Sequence, residues 1–256
     1  MDSTNPVLEG IFSHRSIRRF DPSYTITRAD IDKIIQAGQQ ASTSCTGQMY
    51  TVIEISKERR EEIKTLCGDQ KFVSDASFFC VICVDLYRLH RLVEKAGATN
   101  PNWPLAGLQI GIYDAGLMGQ NMALAAEALG YGICFCGSCG DQPDLMVEAL
   151  KLPEYVIPLT GLAIGKSVEE PPTRPRIPQH MVHHIDEYKQ YSDDELQQAI
   201  DYMSDKLDDE GYYLKYSKRE NYKWRDHLVN KFGGKWLNVV EKRRADALRK
   251  QKFLSD

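Results

Sequence analysis

The run His14-Arg15-Ser16-Ile17-Arg18-Arg19-Phe20 places three arginines, a histidine and a hydroxyl within six consecutive positions. Guanidinium forks match phosphate oxygens, and a serine hydroxyl adds a further donor. Taken alone, the run reads slightly better as a solvated basic turn. A second cluster, Arg174-Pro175-Arg176, lies about 160 residues downstream in a segment, 170–178, where four of nine residues are proline. Proline holds such a chain extended, so two arginines can project with little entropy left to lose. By itself this segment also reads as an exposed basic linker. Together the two clusters would grip one phosphate from two sides. The chain has a formal net charge of −4, so concentrated arginine in it calls for a reason.

Outward from the first cluster, the pattern alternates helices and strands. Val7–Ser13 is a short apolar-periodic segment. Thr27 has the position of an N-cap, with Asp30 three residues on and Ile31, Ile34 and Ile35 at helical spacing. That helix is expected to end near Ala41, followed by a small, hydroxyl-rich loop, Ser42-Thr43-Ser44-Cys45-Thr46-Gly47. Tyr50–Ile55 and Tyr131–Cys136 read as strands, and Phe78–Asp85 as a buried strand. Lys57–Leu66 is a charged helix. Leu108–Leu129 is the longest helical pattern, apolar on most faces, as in a core or subunit interface, with Gly130 ending it. Asp144–Leu150 is a short helix stopped by Pro153. Tyr155–Gly165 is the last core strand, with Pro158 expected at an edge. Beyond residue 180 the chain turns polar and aromatic, with helices at Asp193–Leu207 and Leu237–Lys250. It reads as a peripheral arm and not a second core.

The 256 residues, 42% hydrophobic and 27% charged, suit a water-soluble globular protein with a sizeable core. A weak acidic excess argues against bulk binding to nucleic acid or an anionic membrane. The apolar stretches are too short or too interrupted to span a bilayer, and the N-terminus shows no secretory pattern. Seven cysteines, several in apolar runs, suit free thiols in the cytoplasm. Cys134, Cys136 and Cys139 allow a thiol or metal reading. Cys80 and Cys83, three apart in a strand, face opposite sides and cannot chelate together. No second ligand pair of zinc spacing stands nearby, so no metal site is expected. Dinucleotide-fold, P-loop and hydrolase-elbow fingerprints are absent. The hydroxyls of Ser42, Thr43 and Ser44 and the amide of Gln70 can hydrogen-bond the polar edge of a heterocycle, although each also suits an ordinary polar loop.

In combination and order, these segments resemble the nitroreductase superfamily, in its branch of oxygen-insensitive nitroreductases and NAD(P)H–flavin oxidoreductases. The resemblance runs from His14-Arg15-Ser16-Ile17-Arg18 through Ser42-Thr43-Ser44 and Gly68-Asp69-Gln70-Lys71. It continues through Gln120-Asn121, Ala125–Gly130 and Leu150–Pro153 to Arg174–Pro178, with a weaker echo at Trp224-Arg225-Asp226-His227. It implies an α+β sandwich, a mostly antiparallel sheet flanked by helices, in an intertwined homodimer with FMN at the interface. Residues 1–180 would form the core and 181–256 an arm wrapping the partner. His14, Arg15, Ser16 and Arg18 would bind the FMN phosphate and ribityl chain, with Arg174 and Arg176 closing on the phosphate. Ser42, Thr43, Ser44 and Gln70 would address the flavin ring, and Gly137 and Ser138 would offer backbone N–H groups beside it. Phe135 stands where the family often has tyrosine, and Cys136 and Cys139 are unusual there. The implied activity is hydride transfer from NADPH or NADH, through flavin N5, to a small acceptor such as a nitroaromatic, a quinone or free flavin. No side chain acts as nucleophile. Lys218 and Arg219 precede the Trp-containing echo where the branch meets the extra phosphate of NADPH. A flavin carrier without catalysis, or a thiol or metal protein built on Cys134, Cys136 and Cys139, are the competing readings.

Overall fold

A computed structural model describes residues 5–99 and 103–255. The chain divides into two compact units, one running to Pro171 and resuming at Val240, the other Pro172–Val239. The first unit opens with α1 (Pro6–Ser13), α2 (Arg28–Gln39), β1 (Tyr50–Glu54), α3 (Arg60–Leu66) and α4 (Phe72–Asp75). There follow β2 (Phe78–Asp85), α5 (Tyr87–Lys95), α6 (Pro104–Ala128), β3 (Gly132–Cys136), α7 (Pro143–Leu150) and β4 (Val156–Gly165). The second unit holds α8 (Asp193–Asp209), α9 (Tyr212–Ser217) and α10 (Trp224–His227), and α11 (Lys235–Lys250) begins in it. No helix among the described residues is long and apolar enough to cross a membrane. Within residues 95–105, a stretch whose sequence reads first as a surface loop and second as part of an acceptor wall, Asn100, Pro101 and Asn102 lie outside the described residues. Trp103, beside them, packs against the cluster of Met49, Val84 and Leu86.

The four strands form one antiparallel sheet in the order β1-β2-β4-β3. All eight residues of β2 are buried, which is why its sequence is a continuous apolar run and not an alternation. Its odd and even positions serve two cores. Phe79, Val81 and Cys83 join Ile63, Val73 and Met146 on one face, while Phe78, Cys80 and Ile82 join Ile34, Met118 and Met122 on the other. Cys80 and Cys83 therefore point to opposite sides, as their spacing requires. The sequence expectation for Pro158 is corrected here: β4 is interior, between β2 and β3. Proline is tolerated because the β2 ladder passes from Thr160 to Pro158 at an irregularity, skipping Leu159, and because β3 pairs only as far as Gly161.

Helix α6 is 25 residues long and begins at Pro104, a turn earlier than its apolar pattern suggests. It lies close on the sheet because glycines face it. A Cβ at Gly107 would stand 2.5 Å from Leu86, at Gly111 2.4 Å from Val84, and at Gly119 2.9 Å from Ile82. Gly130, just beyond its C-cap, has φ +85° and ends the helix as read from sequence.

The end of the chain departs from the expected arm. Residues from Val240 belong to the first unit, where Ala247 and Phe253 are buried with Met49, Val84 and Ile157. The Tyr155 N–H donates to the Gln251 carbonyl at 3.0 Å, fixing the tail. The second unit has a small core of its own, Met203, Leu207 and Tyr213, ringed by Ile177, Tyr222 and Trp224. Its leading helix, α8, carries a capping box between Ser192 and Glu195, and the Ser192 N–H, the Lys189 ammonium and the Ser192 hydroxyl together hold the Glu195 carboxyl down to about 2.

Candidate functional site

The basic run lies as an extended segment against β3. Ser16 bridges Ile133, and the Ile17 N–H donates to the Ile133 carbonyl at 2.8 Å. Beyond it the chain pairs with residues after β4: the Asp21 N–H donates to Lys166, and Val168 returns a bond to Arg19. Ile17 is buried, and a Cβ on Gly132 would stand 2.8 Å from it, so only glycine lets the segment approach β3 this closely. The Glu169 carboxylate accepts the N–H groups of Arg18 and Arg19 at 2.6 and 3.1 Å. With its backbone fixed in this way, the run presents side chains from a preset frame.

His14 Nδ1 lies 2.8 Å from Glu127 Oε1 on α6. Arg15 meets the exposed Glu170 at 3.1 Å. Arg15, Ile17, Asn121, Glu127, Tyr131 and Glu169 line part of a cavity of about 660 Å³ in the first unit. The second carboxylate oxygen of Glu127 is buried with no hydrogen-bond partner among the described residues. Arg18 lies near Cys134, whose thiol burial pushes up to about 11 while the guanidinium works the other way.

The hydroxyl loop hangs from α6 by one carboxylate. Buried Asp114 accepts from Thr43 Oγ1 at 2.5 Å, from Ser44 N–H at 3.1 Å and from Met49 N–H at 3.0 Å. Thr43 Oγ1 in turn accepts the Gln48 N–H at 2.8 Å. Within this loop Cys45, Thr46 and Gln48 all hold positive φ, 48°, 55° and 48°, a strained shape that needs such anchoring. Asp114 and Glu127 are the only charged residues in α6. Sequence reasoning passed over both, although a lone acid in an apolar helix was the available signal.

Gln70 and the turn after β3 come together. Gln70 Nε2 donates to Ser138 Oγ at 2.7 Å and to the Cys67 carbonyl at 3.1 Å, and stands 3.8 Å from Cys136 Sγ. Gly137 is exposed beside them. At about 3.3 Å per residue, this turn lies roughly 13 Å along β3 from the Ile133 contact of the basic run. The cysteine group differs from the one read in sequence. Among the described residues, Cys67, Cys136 and Cys139 gather their sulfurs within 4.8 Å of one another, and Cys134 is not in the set. Cys67 escaped notice because it lies about 70 residues from the others. Thiol donors from Cys139 and Cys67 lower the Cys136 thiol, and the other two are raised in consequence.

Arg174 and Arg176 belong to the second unit. Arg174 pairs with Glu210 and stacks on the Tyr212 ring, 4.2 Å from its centroid. Arg176 is exposed and donates to the carbonyls of Arg174 and Pro175 at 3.0 and 3.2 Å. In the same unit Arg219 stacks on Tyr222 at 4.6 Å.

Comparison with known proteins finds relatives along most of the chain. The FMN reductase (NADPH) of Bacillus subtilis (strain 168) is 34% identical over 231 residues, 88% of this chain and 91% of that protein. The NADPH-flavin oxidoreductase of Vibrio harveyi is 32% identical over 234 residues, 90% of this chain and 92% of that protein. The solved structure of the NfrA1 nitroreductase from B. subtilis superposes with a TM-score of 0.83 at 31% identity, covering 94% of this chain and 98% of that one. The family model for nitroreductases matches residues 11–166, which contain the basic run, the Asp114-held loop and the whole sheet, and the chain belongs to the nitroreductase family.

Proposed function

We propose that this chain is an FMN-dependent NAD(P)H oxidoreductase that reduces small acceptors by a ping-pong route. The carrying observation is the basic run fixed by its backbone along β3, beside a cavity of about 660 Å³. That volume falls inside the roughly 300–1,000 Å³ of ordinary ligand sites. The donor set suits a phosphorylated flavin: the Arg15 and Arg18 guanidinium groups with the Ser16 hydroxyl for phosphate, and Gln70 and Ser138 for a polar ring edge. The unpartnered buried oxygen of Glu127 marks a position that a ligand hydroxyl would satisfy. The relatives named as FMN reductase (NADPH) and NADPH-flavin oxidoreductase support the same reading.

FMN, when bound, would supply the electron chemistry, taking hydride from reduced nicotinamide and passing two electrons to the acceptor. The chain's own work is positional. Arg15, Ser16 and Arg18 anchor the phosphate with their backbone already ordered, so binding costs little further entropy. His14 and Glu127 tie that anchor to α6, and Asp114 sets the Thr43–Gln48 loop. Donor and acceptor would share one face in turn, which gives parallel-line kinetics. NADPH is the expected donor, and nitroaromatics, quinones and free flavin are the acceptor classes. A homodimer would bury the apolar outer face of α6.

The test is an absorbance spectrum of the purified protein, then anaerobic addition of NADPH and, separately, NADH. Flavin bands that bleach on mixing are the expected result. Bands that persist point to a carrier without reductase activity, and no flavin uptake overturns the proposal. Arg18→Ala is expected to weaken FMN retention by roughly tenfold or more, the worth of one charge-assisted hydrogen bond. Unchanged occupancy in that variant counts against the phosphate anchor. Arg176→Ala tests the second arginine cluster in the same assay.

A further inference from the structure

We propose that Cys67, Cys136 and Cys139 form a binding site for a single trivalent thiophilic ion of the arsenite type. The three side chains are buried, and their sulfurs all lie within 4.8 Å, with Cys67 and Cys139 at 3.1 Å. Bonds of about 2.3 Å, the usual metal–thiolate length, place three sulfurs on one ion roughly 3.3 to 4.0 Å apart. The observed triangle needs only small side-chain shifts to close on that size. The surroundings look fitted to sulfur. Gly161 lacks the Cβ that would stand 2.7 Å from Cys139 Sγ. Gln70 Nε2, held by the Ser138 hydroxyl at 2.7 Å, stands 3.8 Å from Cys136 Sγ. Such N–H···S contacts orient a thiolate ligand from outside the bond.

Charge and coordination number select the ion. Among the described residues no fourth histidine, cysteine or carboxylate completes the group. Zinc would need a fourth ligand and would leave three thiolates with a net negative charge in a dry site. A monovalent ion such as Cu(I) would leave more. A trivalent ion needs three sulfurs only, and the product is neutral. Three Cys S–H groups and As(OH)₃ give As(S-Cys)₃ and three waters. Three As–O bonds break and three As–S bonds form, each thiol proton leaves on a departing hydroxide, and no oxidation state changes. Access is through the exposed turns that follow two of the ligands, Gly68 after Cys67 and Gly137 after Cys136, so the sheet need not open. Because Gln70 contacts Cys67 and Cys136 and donates to Ser138, occupancy would also fix the two residues assigned to the flavin edge. That consequence rests on the proposed function, whereas binding itself does not.

The experiment is native mass spectrometry of the reduced, full-length protein, as purified and after one equivalent of sodium arsenite, with the flavin spectrum recorded in parallel. The expected result is a mass gain of one arsenic less three hydrogens, with a new near-ultraviolet sulfur-to-arsenic band. Cys136→Ser, Cys139→Ser and Cys67→Ser should each lose at least tenfold in apparent affinity, and Cys134→Ser should bind as the parent does. Circular dichroism checks that each variant is folded. No mass gain in the parent overturns the site, as does gain undiminished in all three ligand variants. Stoichiometric zinc or copper that arsenite does not displace overturns the choice of a trivalent ion. The readout is mass, so failure of the flavin proposal leaves this result interpretable.

Discussion

Asp114 concentrates three hydrogen bonds on one buried carboxylate, and all three donors lie in the Thr43–Met49 segment. Removing it strands a hydroxyl and two backbone N–H groups while the loop still holds three strained residues. Asp114→Ala is therefore expected to cost about 3 kcal/mol. Asp114→Asn, which keeps the shape and an acceptor oxygen, should cost less, about 1 kcal/mol. Denaturant midpoints at unchanged slope check both, and equal losses in the two variants would place the effect in packing. A second residue sets a pH dependence. His90 is buried, edge-on to Tyr155 at 4.7 Å, with Nδ1 lacking a partner among the described residues. Burial lowers its pKa, against the smaller opposite pull of Glu94 and Asp85. Its folded value lies below the unfolded value of about 6.5, so unfolding takes up a proton at lower pH. The stability linked to His90 is thus fully present above about pH 6.5 and falls as pH drops through the folded value. His90→Phe keeps the ring contacts and should flatten the slope of stability between about pH 7.5 and 5.5; an unchanged slope would assign it to other groups.

At the scale of elements, α6 shows how close packing is written in glycine. Gly111→Ala drives a methyl into Val84 at 2.4 Å and toward the Met49 carbonyl at 3.2 Å. Alanine favours helix by about 0.5–1 kcal/mol over glycine, yet overpacking costs about 1–3 kcal/mol, so a net loss is expected. A thermal melt showing Gly111→Ala more stable than the parent would mean that the helix stands off the sheet. The same element marks what sequence reveals. β2 was legible because burial on both faces leaves an unbroken apolar run, and α2 because Thr27 and its isoleucines write cap and period together. The start of α6 was missed because proline reads as a breaker when it also fits a first turn. Pro158 was misplaced because an irregularity between β2 and β4 has no sequence signature. The basic run was legible as a motif, but its carboxylate supports, Glu127 and Glu169, were not. Nor was Cys67 beside Cys136, since folding alone makes those neighbours.

For the whole molecule, the outward side of α6 poses the remaining question of partners. Leu105, Ile112, Tyr113 and Leu117 are 63%, 41%, 60% and 48% exposed on the side of α6 away from Gly107 and Gly111. A contiguous apolar face of this kind usually marks an interface. A two-fold pair of copies would bury it against itself, each residue meeting its symmetric counterpart region. The same helix carries Asp114 and Glu127, which at about 1.5 Å per residue stand roughly 20 Å apart along its axis. Pairing through α6 would therefore couple assembly to both the hydroxyl loop and the basic run. Leu117→Glu puts a charge into that face from each copy. The expected outcome is a shift from dimer to monomer in sedimentation velocity, with loss of bound flavin at matched concentration. Arg18→Ala, in contrast, should lose flavin while remaining dimeric. A parent protein that sediments as a monomer with flavin bound would refute the coupling, and a Leu117→Glu monomer that keeps its flavin would show each chain's site to be complete on its own.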